Sequence, residues 1–170
     1  MKLKRLAIGL CVFVPVAVVG AAIAANVFGD ARQSTARFHH VHHAVAAGYG
    51  EFRDVEGIAC IELPGSGAMG VHYVKGSLVG DAVLDTSQPE ALVYERRGGD
   101  LHLVALEYIV FQSVWEDAGN HDPPSLFGRE FDFVDEPNRY GLPPFYALHA
   151  WAWKGNPSGD FFAWNPRVDC

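Results

Sequence analysis

Four of the eight histidines in this 170-residue chain stand together as His39-His40-Val41-His42-His43. Residues three or four apart on a helix share a face, so His39 would meet His42 or His43, which is how one helix offers two imidazoles to a metal. No HExxH or comparable motif completes the cluster. Its plainer reading is a partly exposed helix rich in histidine.

Two more histidines lie inside apolar, strand-like runs. His72 sits in Gly70-Val71-His72-Tyr73-Val74, and His149 in Tyr146-Ala147-Leu148-His149-Ala150-Trp151-Ala152-Trp153. A period of two puts His149 on the face of Phe145, Trp151 and Trp153. Glu107, in Val104-Ala105-Leu106-Glu107-Tyr108-Ile109, would share a face with Leu103, Ala105 and Ile109, where a carboxylate is costly unless something pairs with it. Taken together, His39, His72, Glu107 and His149, with His42 or His43 as substitutes for His39, make a three-nitrogen, one-oxygen set suited to Zn, Cu, Fe or Mn. With an open position such a site activates water or dioxygen, and closed it is structural or sequestering. Tyr73 or Tyr108 beside the metal would be a proton donor. Each of these residues, taken singly, also fits a hydrogen-bonded core group.

Other chemistries are less well supported. Pro64-Gly65-Ser66-Gly67 has neither the G-x-S-x-G context nor a following helix, so a serine hydrolase is set aside. Gly65, Gly67 and Gly70 precede a strand-like run where a nucleotide loop needs a helix. They read as a turn and close strand packing. Aromatics gather late, with Phe145, Tyr146, Trp151, Trp153, Phe161, Phe162 and Trp164 inside 20 residues. If Phe145, Trp151 and Trp153 line a cavity with His149, Tyr73 and Tyr108, the protein has the apolar pocket with a few polar groups that small ligands use.

The elements that must position these residues are legible in outline. From about Asp30 to Ala47 there are good helix formers, no Pro and a terminating Gly48, which predicts one helix with Phe38, Val41, His42, Val45, Ala46 and Tyr49 on one face. After Gly50 come short β-type runs: 57–63, 68–75, 91–96, 101–111 and 145–153. Arg97-Gly98-Gly99-Asp100 between two of them predicts a hairpin. The stretch 112–144, rich in Pro, Gly, Asn and Asp, has no clear period and is too long for a passive connection, which suggests a lid or a rim. The expected fold is α+β: an N-terminal helix packed on a mainly antiparallel sheet that could close into a barrel.

The chain begins with Lys2, Lys4 and Arg5, an apolar run from Leu6 to Val19 and the small-residue site Ala22-Ile23-Ala24. That is the pattern of a secretory signal peptide over residues 1–24, leaving a single domain over 25–170. Pro15 and Gly20 interrupt the run, and about 20 unbroken apolar residues are needed for a span. The expected product is secreted or periplasmic, without a stable membrane anchor. Removing 1–24 takes three of the 13 Lys and Arg and none of the 20 Asp and Glu. The remainder is strongly acidic and unsuited to a nucleic-acid backbone. It also takes Cys11, and the remaining pair in an oxidising compartment predicts a Cys60–Cys170 disulfide.

The segments Gly67-Ala68-Met69-Gly70-Val71-His72-Tyr73, Pro89-Glu90-Ala91-Leu92-Val93-Tyr94-Glu95, Glu107-Tyr108 and His149-Ala150-Trp151-Ala152-Trp153 through Asn165-Pro166 resemble a group of small exported bacterial proteins to which no function is assigned. The resemblance spans about residues 36–170. It implies a secreted bacterial domain, favours His39 over His42 as the helix ligand, and brings no activity or cofactor with it. The preferred expectation is a transition-metal site through the His/Glu set. The alternatives are a metal-free carrier of a small apolar ligand, and a structural or surface-interaction protein.

Overall fold

The computed structural model describes residues 27–170; the expected signal peptide lies outside them. The fold is α+β with few helices and a mostly antiparallel sheet. Its strands are β1 (Gly50–Glu51), β2 (Cys60–Leu63), β3 (Gly67–Val74), β4 (Ala91–Arg97), β5 (Asp100–Phe111), β8 (Asp132–Val134) and β9 (Phe145–Ala150), while β6 (Ser125–Leu126) and β7 (Arg129–Glu130) form a separate small ribbon. The main order is β1-β3-β4-β5-β9-β8, with β2 also pairing β3. No barrel closes among the described residues. The outer strands β1, β2 and β8 are too short to join into a ring and each pairs on one side only.

The β4–β5 hairpin turns at Gly98 and Gly99, with φ of +60° and +95°, the left-handed backbone that a two-residue hairpin loop requires. Along the same pair Val93 faces Ala105 whereas Tyr94 faces Leu103. One extra residue, Val104, is therefore accommodated in β5, and a bulge of this kind reverses which side the following residues face. Ala105, Glu107 and Ile109 keep to one side as expected, but Leu103 is turned to the other and joins the cluster containing Leu92 and Leu106. On β3, a Cβ on Gly70 would lie 2.6 Å from the Tyr94 carbonyl and one on Gly67 2.1 Å from that of Asn165. Both glycines serve close strand packing.

The predicted single helix is three pieces: an α-helix Gly29–Thr35, a 3₁₀ turn Ala36–His39 and an α-helix Val41–Ala46. The Thr35 hydroxyl donates back to the Ala31 carbonyl, a bond that bends helices, and His40 is extended at φ −98°, ψ 104°. The 100° phase is lost at the break. Val45 and His42 are consequently exposed, and Ala44 takes the buried place with Phe38 and Tyr49. These pieces cover one side of the sheet, packing Phe28, Ala31, Phe38 and Ala44 against Leu92, Leu106, Tyr108 and Leu148.

The other side carries two apolar clusters, Val93, Val104, Ala105 and Trp151 in one, and Val79, Ala91, Ile109 and Phe145 in the other. Residues 112–144, aperiodic in sequence, hold a short helix Gln112–Asp117, the β6–β7 ribbon and β8. The following segment is strapped across the second side. Arg139 Nη2 donates to Asp54 Oδ2 at 2.7 Å, and the Val55 N–H to the Arg139 carbonyl. Cys60 and Cys170 form the disulfide, drawing the C-terminal residue onto β2. No helix among the described residues is long and apolar enough to cross a membrane.

Candidate metal centre

Three polar side chains converge on the side of the sheet that faces the strap. His72 comes from β3, Glu107 from β5 and His149 from β9, and all three are buried. Their positions follow from the register. Glu107 pairs directly with His149, while His72 and Glu107 are separated by β4, where the residues on the same side are Ala91 and Val93. Two strand spacings are about 10 Å, a gap that imidazole and carboxylate side chains bridge only over a short residue. Ala91, paired with both Val74 and Glu107, leaves that room.

His72 Nε2 lies 3.2 Å from Glu107 Oε2 and His149 Nδ1 lies 3.2 Å from Glu107 Oε1. One donor atom from each residue falls within 4.8 Å of the others. Ligands held at about 2.0–2.1 Å from a tetrahedral ion stand about 3.3 Å apart, so each His–Glu separation, one to each oxygen of the carboxylate, is short enough for the pair to share an ion. Burial by itself pushes the Glu107 carboxyl up, but His149 and then His72 outweigh it and hold the group well below the usual carboxylate range. Glu107 is thus ionised, as a ligand must be. The Nε2 of His149 is buried with no hydrogen-bond partner, an unspent polar atom of the kind that native cores rarely leave.

Beside the cluster lies a pocket of about 190 Å³ with His72 and Glu107 in its lining. Its walls are apolar: Phe52, Val79, Ile109, Phe111, Leu142 and Phe145. Tyr140, from the strap, completes it. Burial pushes the Tyr140 hydroxyl up to about 12, and the Glu107 carboxylate adds to the rise, so the group remains a donor at neutral pH. Its one partner among the hydrogen bonds is the weak acceptor Met69 Sδ at 3.8 Å.

The expected ligand set is therefore brought together in three members out of four. His39 is on the helix side of the sheet, packed edge-on against Trp153 at 4.4 Å between ring centroids. His42 and His43 are exposed on the next helical piece, beyond the break at His40, so neither can replace it. The sheet itself stands between these imidazoles and Glu107. Of the expected pocket residues, Phe145 lines the cavity, and the others do not. Tyr73 and Tyr108 alternate to the helix side, where Tyr73 packs on Tyr94 and the Tyr108 hydroxyl donates to the Thr86 carbonyl. Neither can serve as a proton donor at the cluster.

Strand β9 ends at Ala150, so the period of two does not extend to the tryptophans. Trp151 packs near His149 and donates its indole N–H to the Phe162 carbonyl, while Trp153 bonds to Thr35 on the helix side. Both line a separate concavity with Arg32 and Asp160. Tyr140, Phe52 and Leu142 were not recognisable as site residues, since they lie in segments without periodicity. The length of the 112–144 stretch is the one sequence signal that pointed to a rim there. Comparison with known proteins finds no matching family model, no similar curated protein and no similar solved structure, so the chemistry is read from the geometry.

Proposed function

We propose that this is an exported metal-binding domain that holds a transition metal through His72, Glu107 and His149, with an open coordination position facing the apolar pocket. The observation that carries the reading is the convergence of three buried donors from three separate strands within 4.8 Å. Two imidazoles and a carboxylate are the donor set of hydrolytic zinc sites and of non-haem iron oxygenase sites, both of which keep positions free for water, dioxygen or substrate. Zn, Fe, Mn and Cu all fit it by donor type. Export is supported by the basic, apolar and small-residue opening of the chain and by the disulfide.

Elemental analysis of the chain recovered from a host periplasm, without a His tag and dialysed without chelator, tests the proposal. The expected result is about one metal per chain, retained in a His42→Ala/His43→Ala variant and lost in His72→Ala/His149→Ala. Metal-free protein that also takes up no Zn, Cu, Fe or Mn on titration would overturn it. A second reading, a metal-free carrier of a small apolar ligand, draws on the pocket's apolar walls and is the one that such a result would leave.

A further inference from the structure

The pocket beside the cluster has a polar end and an apolar body, and its size, charge and one weakly engaged donor together describe what would fill it. An apolar cavity of about 150 Å³ accommodates a benzene ring, so the 190 Å³ here suits one ring with a small substituent. The aromatic and aliphatic walls, Phe52, Ile109, Phe111, Leu142 and Phe145, offer no partner for a second polar group on that body. The charge at the polar end is equally restrictive. A divalent ion beside one carboxylate and two neutral imidazoles leaves a net positive charge in a buried place, which is costly unless one anionic ligand cancels it.

A head group with two oxygens fits better than one with a single oxygen. One oxygen would complete the metal, and the other would accept from Tyr140, which lines the same pocket and whose hydroxyl otherwise has only a thioether sulfur at 3.8 Å as partner. Alternatives with one oxygen, such as a phenolate, leave that donor unused. We propose that the pocket binds a small aromatic monocarboxylate, with its carboxylate between the metal and Tyr140 and its ring among Phe52, Phe111, Leu142 and Phe145. The proposal rests on the metal reading above, and its test separates the two.

Cobalt(II) replaces the metal and reports on its ligands through its visible absorption. Benzoate is the probe, with acetate (the head group alone) and toluene (the ring alone) as comparisons, each titrated into the cobalt-loaded and the metal-free protein, with the heat of binding recorded for both forms. Expected is a change in the cobalt spectrum with benzoate, at a concentration at least about tenfold lower than acetate requires, because the ring's burial adds to the head group's binding. Toluene should leave the spectrum unchanged. Leu142→Trp, which fills the pocket, should abolish the benzoate response, and Tyr140→Phe should weaken it. Cobalt content and circular dichroism, read on the same samples, identify a variant that has failed to fold. Cobalt uptake without any benzoate response, or with benzoate no better than acetate or no better in the cobalt form than in the metal-free form, would overturn this proposal and leave the metal site standing. Failure of the wild-type protein to take up cobalt or any other metal would overturn both.

Discussion

Glu90, immediately before β4, and Glu107, within β5, are both buried, at 1% and 7% exposure, on opposite sides of the sheet, and burial pushes both carboxyls up. Glu90 meets little to oppose this. Its Oε2 accepts from the Ile109 N–H, its Oε1 has no partner, and Asp81 and Asp85 add like charge, so the group is pushed up to about 8 and is largely neutral at pH 7. Glu107 faces two imidazoles and is held ionised. The neighbouring hydroxyls repeat the contrast. On the helix side Tyr49, Tyr94 and Tyr108 each donate to a backbone carbonyl, of Pro89, Phe38 and Thr86. On the other side the polar groups turn toward one another beside a pocket. Buried polar groups that end on the backbone fasten a fold, whereas those that converge on one another around an ionised carboxylate make a site.

The sharpest way to break this comparison is to neutralise each glutamate in turn. Glu107→Gln should lower metal affinity by at least about a hundredfold, since it removes the anionic ligand where even a residue that only supports a ligand is worth about 10–100-fold. Glu90→Gln should leave affinity unchanged, and competition against a coloured chelator measures both. Equal losses would remove the distinction between the two sides.

Stability against pH should separate them next. The folded pKa of Glu90 is raised from 4.5 to about 8, so its contribution is fully present below about 4.5 and is lost as pH rises through about 8. Glu107, shifted downward, works in the opposite sense: its contribution is present above the usual carboxylate range and is lost as pH falls below it. Urea unfolding of metal-free protein should therefore find Glu90→Gln more stable than wild type by about 2–4 kcal/mol at pH 8.5 and nearly equal to it at pH 4.5. An unchanged difference across that range would show that Glu90 is not held neutral. The smallest effect belongs to Tyr94→Phe, which leaves the Phe38 carbonyl without its donor and should cost about 1 kcal/mol. Its thermal midpoint should fall by a few degrees while metal content stays at the wild-type level.

Much of this arrangement is legible in the sequence because strands alternate. The apolar runs around Leu92, Leu106 and Leu148 placed β4, β5 and β9, and Gly98-Gly99 placed the hairpin, since each is a local pattern that the structure keeps. His72, Glu107 and His149 drew notice by being polar where both neighbours are apolar. What escaped depended on contacts between distant residues. The bulge at Val104 has no local signature, and it alone moves Leu103 to the other side. The helix break at His40 needs Thr35 and the Tyr94 hydroxyl to stabilise it, and it displaced Val45 and His42. The dense histidine run drew attention to a surface, while the strap residue that completes the pocket, Tyr140, is held by Arg139 and Asp54 from 85 positions apart.

The disulfide gives the site a further property. Cys60 and Cys170 enclose His72, Glu107 and His149, and the strap and its approaches lie between Glu107 and His149. A single proteolytic cut anywhere from 112 to 144 would divide the backbone between the second and third of these residues, yet both fragments would stay covalently joined through the cystine. Topologically the three side chains belong to a closed ring and not to a line. Nicking would open that ring without releasing a fragment, and only the addition of a reductant would let β9 and its histidine depart.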